Sequence, residues 1–220
     1  MKYEITNETH PTVPYLKRIR ALKDFSDVKK GDLGGFIESE KNLSHEGDCW
    51  VSENAEVSEN AVVNGNALVS SNAEVSSNAE VSGNAKVTGN AWVYGEAVVY
   101  QNARVTDDAR VKGNAVVYGN AWVFGKAWVF GNAVVNGNAL VSDDVWVSEN
   151  AVISGNAEVS GNADVYGNAD VYGYAKVSGY ADVSGYAKVF GNADVSGDAK
   201  VSGYADVSGD AKVFGNTEMV

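Results

Sequence analysis

The chain has little of the chemistry from which active sites are usually built. Its only histidines are His10 and His45, its only cysteine is Cys49, and its only prolines are Pro11 and Pro14. One cysteine cannot close an internal disulfide, and two histidines cannot supply a three-histidine zinc centre. No cysteine pair, no glycine-rich phosphate loop leading into a helix and no Ser/His/Asp set can be assembled, so no cofactor or metal is implied. No apolar run approaches the ~18 residues of a membrane-spanning helix. Met1-Lys2-Tyr3-Glu4-Ile5-Thr6 lacks the apolar stretch of a signal peptide, and a cytoplasmic location is expected. Positive charge is also scarce: 17 Lys and Arg stand against 29 Asp and Glu, a net charge of −12. Residues 1–48 are nearly balanced, with eight basic and nine acidic side chains, whereas the remainder holds nine basic and twenty acidic. Such a surface repels nucleic acid and anionic membranes, which excludes both as partners, and it could attract a basic protein surface.

What the chain has in abundance is a period. From Val51 to Val213 a β-branched residue falls at every sixth position, 28 times without an insertion, and only Ile153 is not Val. Two residues before each stands a small residue, Ala at every position from Ala55 to Ala211 except Val145. The unit is Ala-x-Val-x-Gly-Asn. A helix needs apolar positions at 3.6-residue spacing, and a Gly-Asn pair every six residues would break it. Within the unit, Ala and Val alternate with their neighbours and so share one face of a short strand. Gly-Asn then turns the chain, because both residues tolerate positive φ at low cost. A short strand and a turn every six residues predict a solenoid, all-β, with function to be sought where the repeat departs from itself.

The pattern of an aliphatic residue followed four places later by a small one, as in Val51 and Ala55 or Val57 and Ala61, resembles the hexapeptide-repeat proteins over roughly residues 49–216. The segments Ile19–Phe25, Gly31–Phe36 and Cys49-Trp50-Val51 are similar to the front end of bacterial and phage members, many of which carry only a transferase label. The resemblance implies a left-handed parallel β-helix with three sides, 18 residues per turn and, here, about nine coils. With strands ~4.8 Å apart the rod would be about 45 Å long. It also implies acyl transfer with a histidine of the solenoid as general base, and a homotrimer as the common assembly. This rod has no histidine, and its unbroken register leaves no room for the loop that leaves the solenoid in those enzymes. The residual catalytic expectation is a degenerate acyltransferase using His10 or His45.

Residues 1–48 break the period and are expected to cap a solenoid of residues 49–220. Lys17, Arg18, Arg20, Lys29 and Lys30 are read as the solvated surface of that cap rather than an anion site. Cys49, in an Ala position, is read as a small buried residue closing the first coil, and His45 as filling the slot six residues before Val51. The Asp107-Asp108 and Asp143-Asp144 pairs replace Gly-Asn and are read as turn residues rather than a cation site.

The residue before each Val divides the rod into three zones. Residues 52–90 are mostly polar. Between 91 and 153 the residues become Trp, Val and Arg, and sorting them in steps of 18 gives three columns. One is Val98, Val116, Val134 and Val152 beside Tyr100 and Tyr118. A second is Trp92, Arg110, Trp128 and Trp146 beside Tyr94 and Phe130. A third includes Trp122, beside Phe124. All should point outward, leaving four of the five tryptophans exposed on a monomer, the signature of an interface. From 154 to 213 charge returns, with opposite signs one rung apart on two faces: Glu158, Lys176, Asp194, Lys212 on one, Asp170, Lys188, Asp206 on another. This arrangement should avoid like-charge stacking. Tyr174, Tyr180, Tyr186 and Tyr204 replace Asn at corners. The function expected is a non-catalytic scaffold or binding protein that self-associates, as a trimer, or binds a partner through the belt at 92–152. The alternative is a phage or prophage effector that binds a host protein or sequesters a small ligand.

Overall fold

A computed structural model describes all 220 residues. Each hexad forms one two-residue strand, such as Val62–Val63 or Leu68–Val69, and one turn. Residues 18 apart become neighbours: Val98 pairs with Val116, Trp92 with Arg110 and Arg104 with Trp122, all in parallel register. The strands sort into three sheets of 13, 10 and 9 members, one on each side of a three-sided parallel β-solenoid of about ten turns. We name the sides after Trp92, Trp122 and Val98.

Inward positions are uniform. From Ala55 to Val201 every Ala and Val of the repeat is buried, and Val145 and Ile153 fit the same core. Each coil hands its N–H groups to the next: Val98 donates to the Ala115 carbonyl at 3.0 Å and Tyr100 to that of Val117 at 3.0 Å. The backbone is thus satisfied without help from the outward side chains, which sets those positions free.

The turns explain the Gly-Asn signature. The first corner residue has a left-handed φ, +70° at Gly137, and a Cβ there would lie 2.8 Å from the backbone of Gly155 in the next coil. Asp107 and Asp143 occupy the same position at φ 61°. Their carboxylates accept the N–H of Gly125 (3.1 Å) and Gly161 (2.9 Å), so the acidic pairs serve the turn. The second corner residue builds ladders. Asn66, Asn84, Asn102, Asn120, Asn138 and Asn156 form an unbroken chain of amide hydrogen bonds of 2.9–3.1 Å.

The first coil is irregular. β1 (Tyr3–Thr9), β2 (Lys17–Ala21) and β3 (Leu33–Ile37) form an antiparallel meander, and β3 then joins the Trp92 side in parallel, Phe36 beside Glu56 and Ile37 beside Val57. Leu43 bridges to Val63 and Trp50–Val51 pairs with Leu68–Val69. Leu43, not His45, therefore fills the slot on the Val98 side. The chain through residues 38–48 is not in hexad phase, so counting back from Val51 misplaces that position by two. Cys49 is buried where an Ala would stand. Beside it lies a group invisible to the repeat: Lys2 is buried, its ammonium donating to the Cys49 carbonyl at 2.8 Å and to Cys49 Sγ at 3.1 Å. The basic residues of the meander are spread among local partners. Arg18 pairs with Glu8 and packs over the Phe36 ring, Arg20 pairs with Glu4, and Lys29 lies 3.9 Å from Asp24. At the far end the register runs one hexad beyond Val213, Glu218–Met219 pairing with Lys200–Val201. No helix is long and apolar enough to cross a membrane.

Candidate functional site

Every residue of the belt stands in the outward position of its strand or just after it, and the three sides carry different surfaces. On the Val98 side, Val98, Val116, Val134 and Val152 form one continuous half-buried aliphatic column, with Tyr100 and Tyr118 stacked beside it at 5.0 Å. On the Trp122 side, Trp122 packs against Phe124 at 4.6 Å, donates its indole N–H to Thr106 Oγ1 at 2.9 Å and has Arg104 6.0 Å from its ring centre.

The Trp92 side holds the most organised group. Trp92, Arg110, Trp128 and Trp146 occupy successive rungs. The Arg110 guanidinium sits between two indoles, 4.9 Å from Trp92 and 4.8 Å from Trp128, and Trp128 stacks on Trp146 at 5.7 Å. Lys112 lies over both Trp128 and Phe130, and Tyr94 and Phe130 meet Trp92 and Trp146 edge-on. Exposure follows from this stacking: Trp92 (39%) and Trp146 (49%), the two ends, are exposed, while Trp128 inside the stack is half-buried. Trp122 is half-buried as well. The expectation of four exposed tryptophans is thus corrected to two. Neighbours one rung away on the same side cover the others, an effect invisible in a residue-by-residue count.

The rungs flanking this stack depart from the charge alternation. The column reads Glu56, Glu74, Trp92 at one end and Trp146, Asp164, Asp182 at the other, with Glu56 directly beside Glu74 and Asp164 beside Asp182. Burial, with Glu56 alongside, raises the Glu74 carboxyl above its ordinary range, and burial with Asp182 alongside does the same to Asp164. Elsewhere in the charged third only Lys176 and Glu158 close to an ion pair, at 3.1 Å. Of the corner tyrosines, Tyr186 and Tyr204 stack at 5.1 Å while all four stay exposed.

The two histidines lie elsewhere. His10 lines a cleft of about 360 Å³ with Arg18, Phe36, Glu56 and Glu74. Its Nδ1 accepts the Val13 N–H at 3.2 Å, which leaves the proton on Nε2, 3.2 Å from Glu56. His45 stacks on Tyr3, its Nδ1 accepts the Lys2 N–H at 3.2 Å, and its Nε2 is buried without a partner. Each ring thus uses its lone-pair nitrogen on the backbone, and neither offers a free acceptor to a cleft.

Fold and surface together define a three-sided parallel β-solenoid whose middle rungs carry outward Trp, Arg and Val columns. No family model matches the chain. A stretch of 36 residues is 47% identical to the uncharacterized acetyltransferase YdcK of Escherichia coli (strain K12), covering 16% of this chain and 11% of that protein.

Proposed function

We propose that the chain is a non-catalytic solenoid that self-associates or binds a partner through the belt at 92–152. The observation that carries this reading is the gathering of Trp92, Trp122, Trp128 and Trp146 and of the unbroken Val98 column in the middle rungs, over a core of Ala and Val that runs the length of the rod. Interfaces concentrate binding in Trp, Tyr and Arg, ringed by contacts that exclude water. The aliphatic Val98 column suits contact between copies, with a trimer expected. Light scattering of the purified protein at micromolar concentration is expected to give an oligomer, and Val116→Lys to reduce it to monomers. A wild-type monomer defeats the self-association.

A second reading, acyl transfer, is favoured by the short match to an uncharacterized acetyltransferase. The use of both histidine Nδ1 atoms by the backbone weighs against it. Transfer from acetyl-CoA to a panel of amines, compared with His10→Ala and His45→Ala, tests it. Turnover lost in either variant would establish it in place of the scaffold.

A further inference from the structure

The two ends of the aromatic stack on the Trp92 side share two electrostatic mismatches, and the Trp92 end has a third. First, an indole face carries negative π density, yet Trp92 has Glu74 on the rung below it and Trp146 has Asp164 on the rung above. Second, each of those carboxylates has another directly behind it, Glu56 and Asp182, and like charges directly opposite on a sheet repel. Third, Glu74 is half-buried, where the charged form is less favoured, while Asp164 at the other end is exposed. Inside the stack Trp92 and Trp128 are matched, because Arg110 fills the space between them, and Trp146 rests on Trp128. The outer faces lack such a cation. At the Trp92 end the space is present: Glu74, Ser76, Trp92 and Tyr94 enclose a cleft of about 190 Å³.

We propose that the Trp92 side is a docking surface for a basic segment of a protein partner, with one Lys or Arg seated between Glu74 and Trp92 and another between Trp146 and Asp164. A cation at either place meets an indole face and a carboxylate pair together, and so relieves the mismatches there. The chain's own Arg110 shows that the indoles on this side accept a guanidinium. The two places are four rungs apart on one flat side, ~19 Å, which about six residues of extended chain span with both side chains on the same face. A small free amine fills one place and leaves the other empty, whereas a basic segment fills both. The net charge of −12 favours the approach of such a segment. The inference rests on the reading of the belt as a working surface and names what that surface takes.

The test uses the full chain and a Ser/Thr peptide with two arginines about six residues apart, alongside the same peptide with both arginines replaced by Gln. Tryptophan fluorescence and calorimetry follow binding. The arginine peptide is expected to bind and the Gln peptide not. Glu74→Gln combined with Asp164→Asn should weaken binding about tenfold, the size of two lost charge contacts. The pair Asp194→Asn and Asp206→Asn removes the same net charge from the other two sides and should change binding less than about twofold. Equal weakening by the two pairs would reduce the effect to general attraction by an acidic rod and overturn the proposal. Spermidine binding as tightly as the peptide would also overturn it, in favour of a small-amine site. Absence of peptide binding overturns it too, and light scattering on the same sample then separates the cases. An oligomer broken by Val116→Lys keeps the belt as an interface, while a monomer that binds nothing removes both readings.

Discussion

The belt at 92–152 and the charged third at 154–213 are built on the same core and differ only on their outer surface. In both, Ala and Val face inward and are buried, and each coil donates its N–H groups to the next. Outside, one region stacks Trp, Arg and Val, and the other sets Asp and Lys on successive rungs. The lesson is a division of labour within single dipeptides. The second residue of each strand holds the fold, and the first is available for whatever the surface has to do. What distinguishes one length of the rod from another is therefore written in the outward column and not in the repeat.

Truncating neighbours on either side of that division separates the two roles. Val135 is fully buried and Val134 is its outward neighbour. Val135→Ala should cost about 2 kcal/mol, from two lost methyl groups and the cavity they leave. Val134→Ala should cost less than about 0.5 kcal/mol. Chemical denaturation measures both, and comparable losses would mean that the outward column also carries the fold. The corners give the next largest difference. Gly137→Ala meets both a left-handed φ and the Gly155 backbone at 2.8 Å, whereas Gly209→Ala meets the same kind of φ with nothing within 4 Å. The first should cost well over the ~1 kcal/mol that left-handed φ alone imposes on the second. Equal melting temperatures for the two variants would show that coils separate freely at the corners. Smaller still is the ladder: Asn120→Ala removes two exposed amide bonds, to Asn102 and Asn138, and should cost about 0.5 kcal/mol.

Much of this was legible in the sequence because the period is strict. The inward Ala and Val, the outward belt and the turn role of Asp107 and Asp143 follow from counting in sixes, while the three sides and the 18-residue turn came with the resemblance to hexapeptide-repeat proteins. The count fails where the chain leaves phase. It put His45 in the slot that Leu43 takes, and it had nothing to say about Lys2, whose ammonium reaches Cys49 across 47 positions of sequence. It also treated each tryptophan singly. Trp128 is half-buried because Arg110, Lys112 and Trp146 cover it, and such cover depends on side-chain direction between rungs. The Asn ladders were equally hidden, since Asn at a turn already has a sufficient local reason. What a ladder adds appears only when the corners are stacked.

The finest distinction between the two regions lies at their border, in Glu74 and Asp164. Both carboxyls are raised in the folded rod above their ordinary values of 4.5 and 3.8, chiefly by burial, and then by Glu56 and Asp182. A carboxyl raised on folding binds its proton more tightly in the native state. The stability it contributes is complete below its ordinary value and is lost as pH climbs through the raised one. Ionising either group as pH climbs is therefore at the rod's expense. Glu74→Gln and Asp164→Asn should each raise the melting temperature at pH 7, by an amount of the order of a degree. The gain should shrink as pH falls and vanish below the ordinary carboxylate range, where the native groups are already neutral. Asp206→Asn, which faces Lys188 one rung away, should show no such gain at pH 7. Thermal melts of the three variants between acid and neutral pH measure the difference. A gain that persists in acid would assign it to packing. A gain confined to neutral pH means that the carboxylates flanking the tryptophans are held against a local penalty, which a bound cation at either end of the stack would relieve.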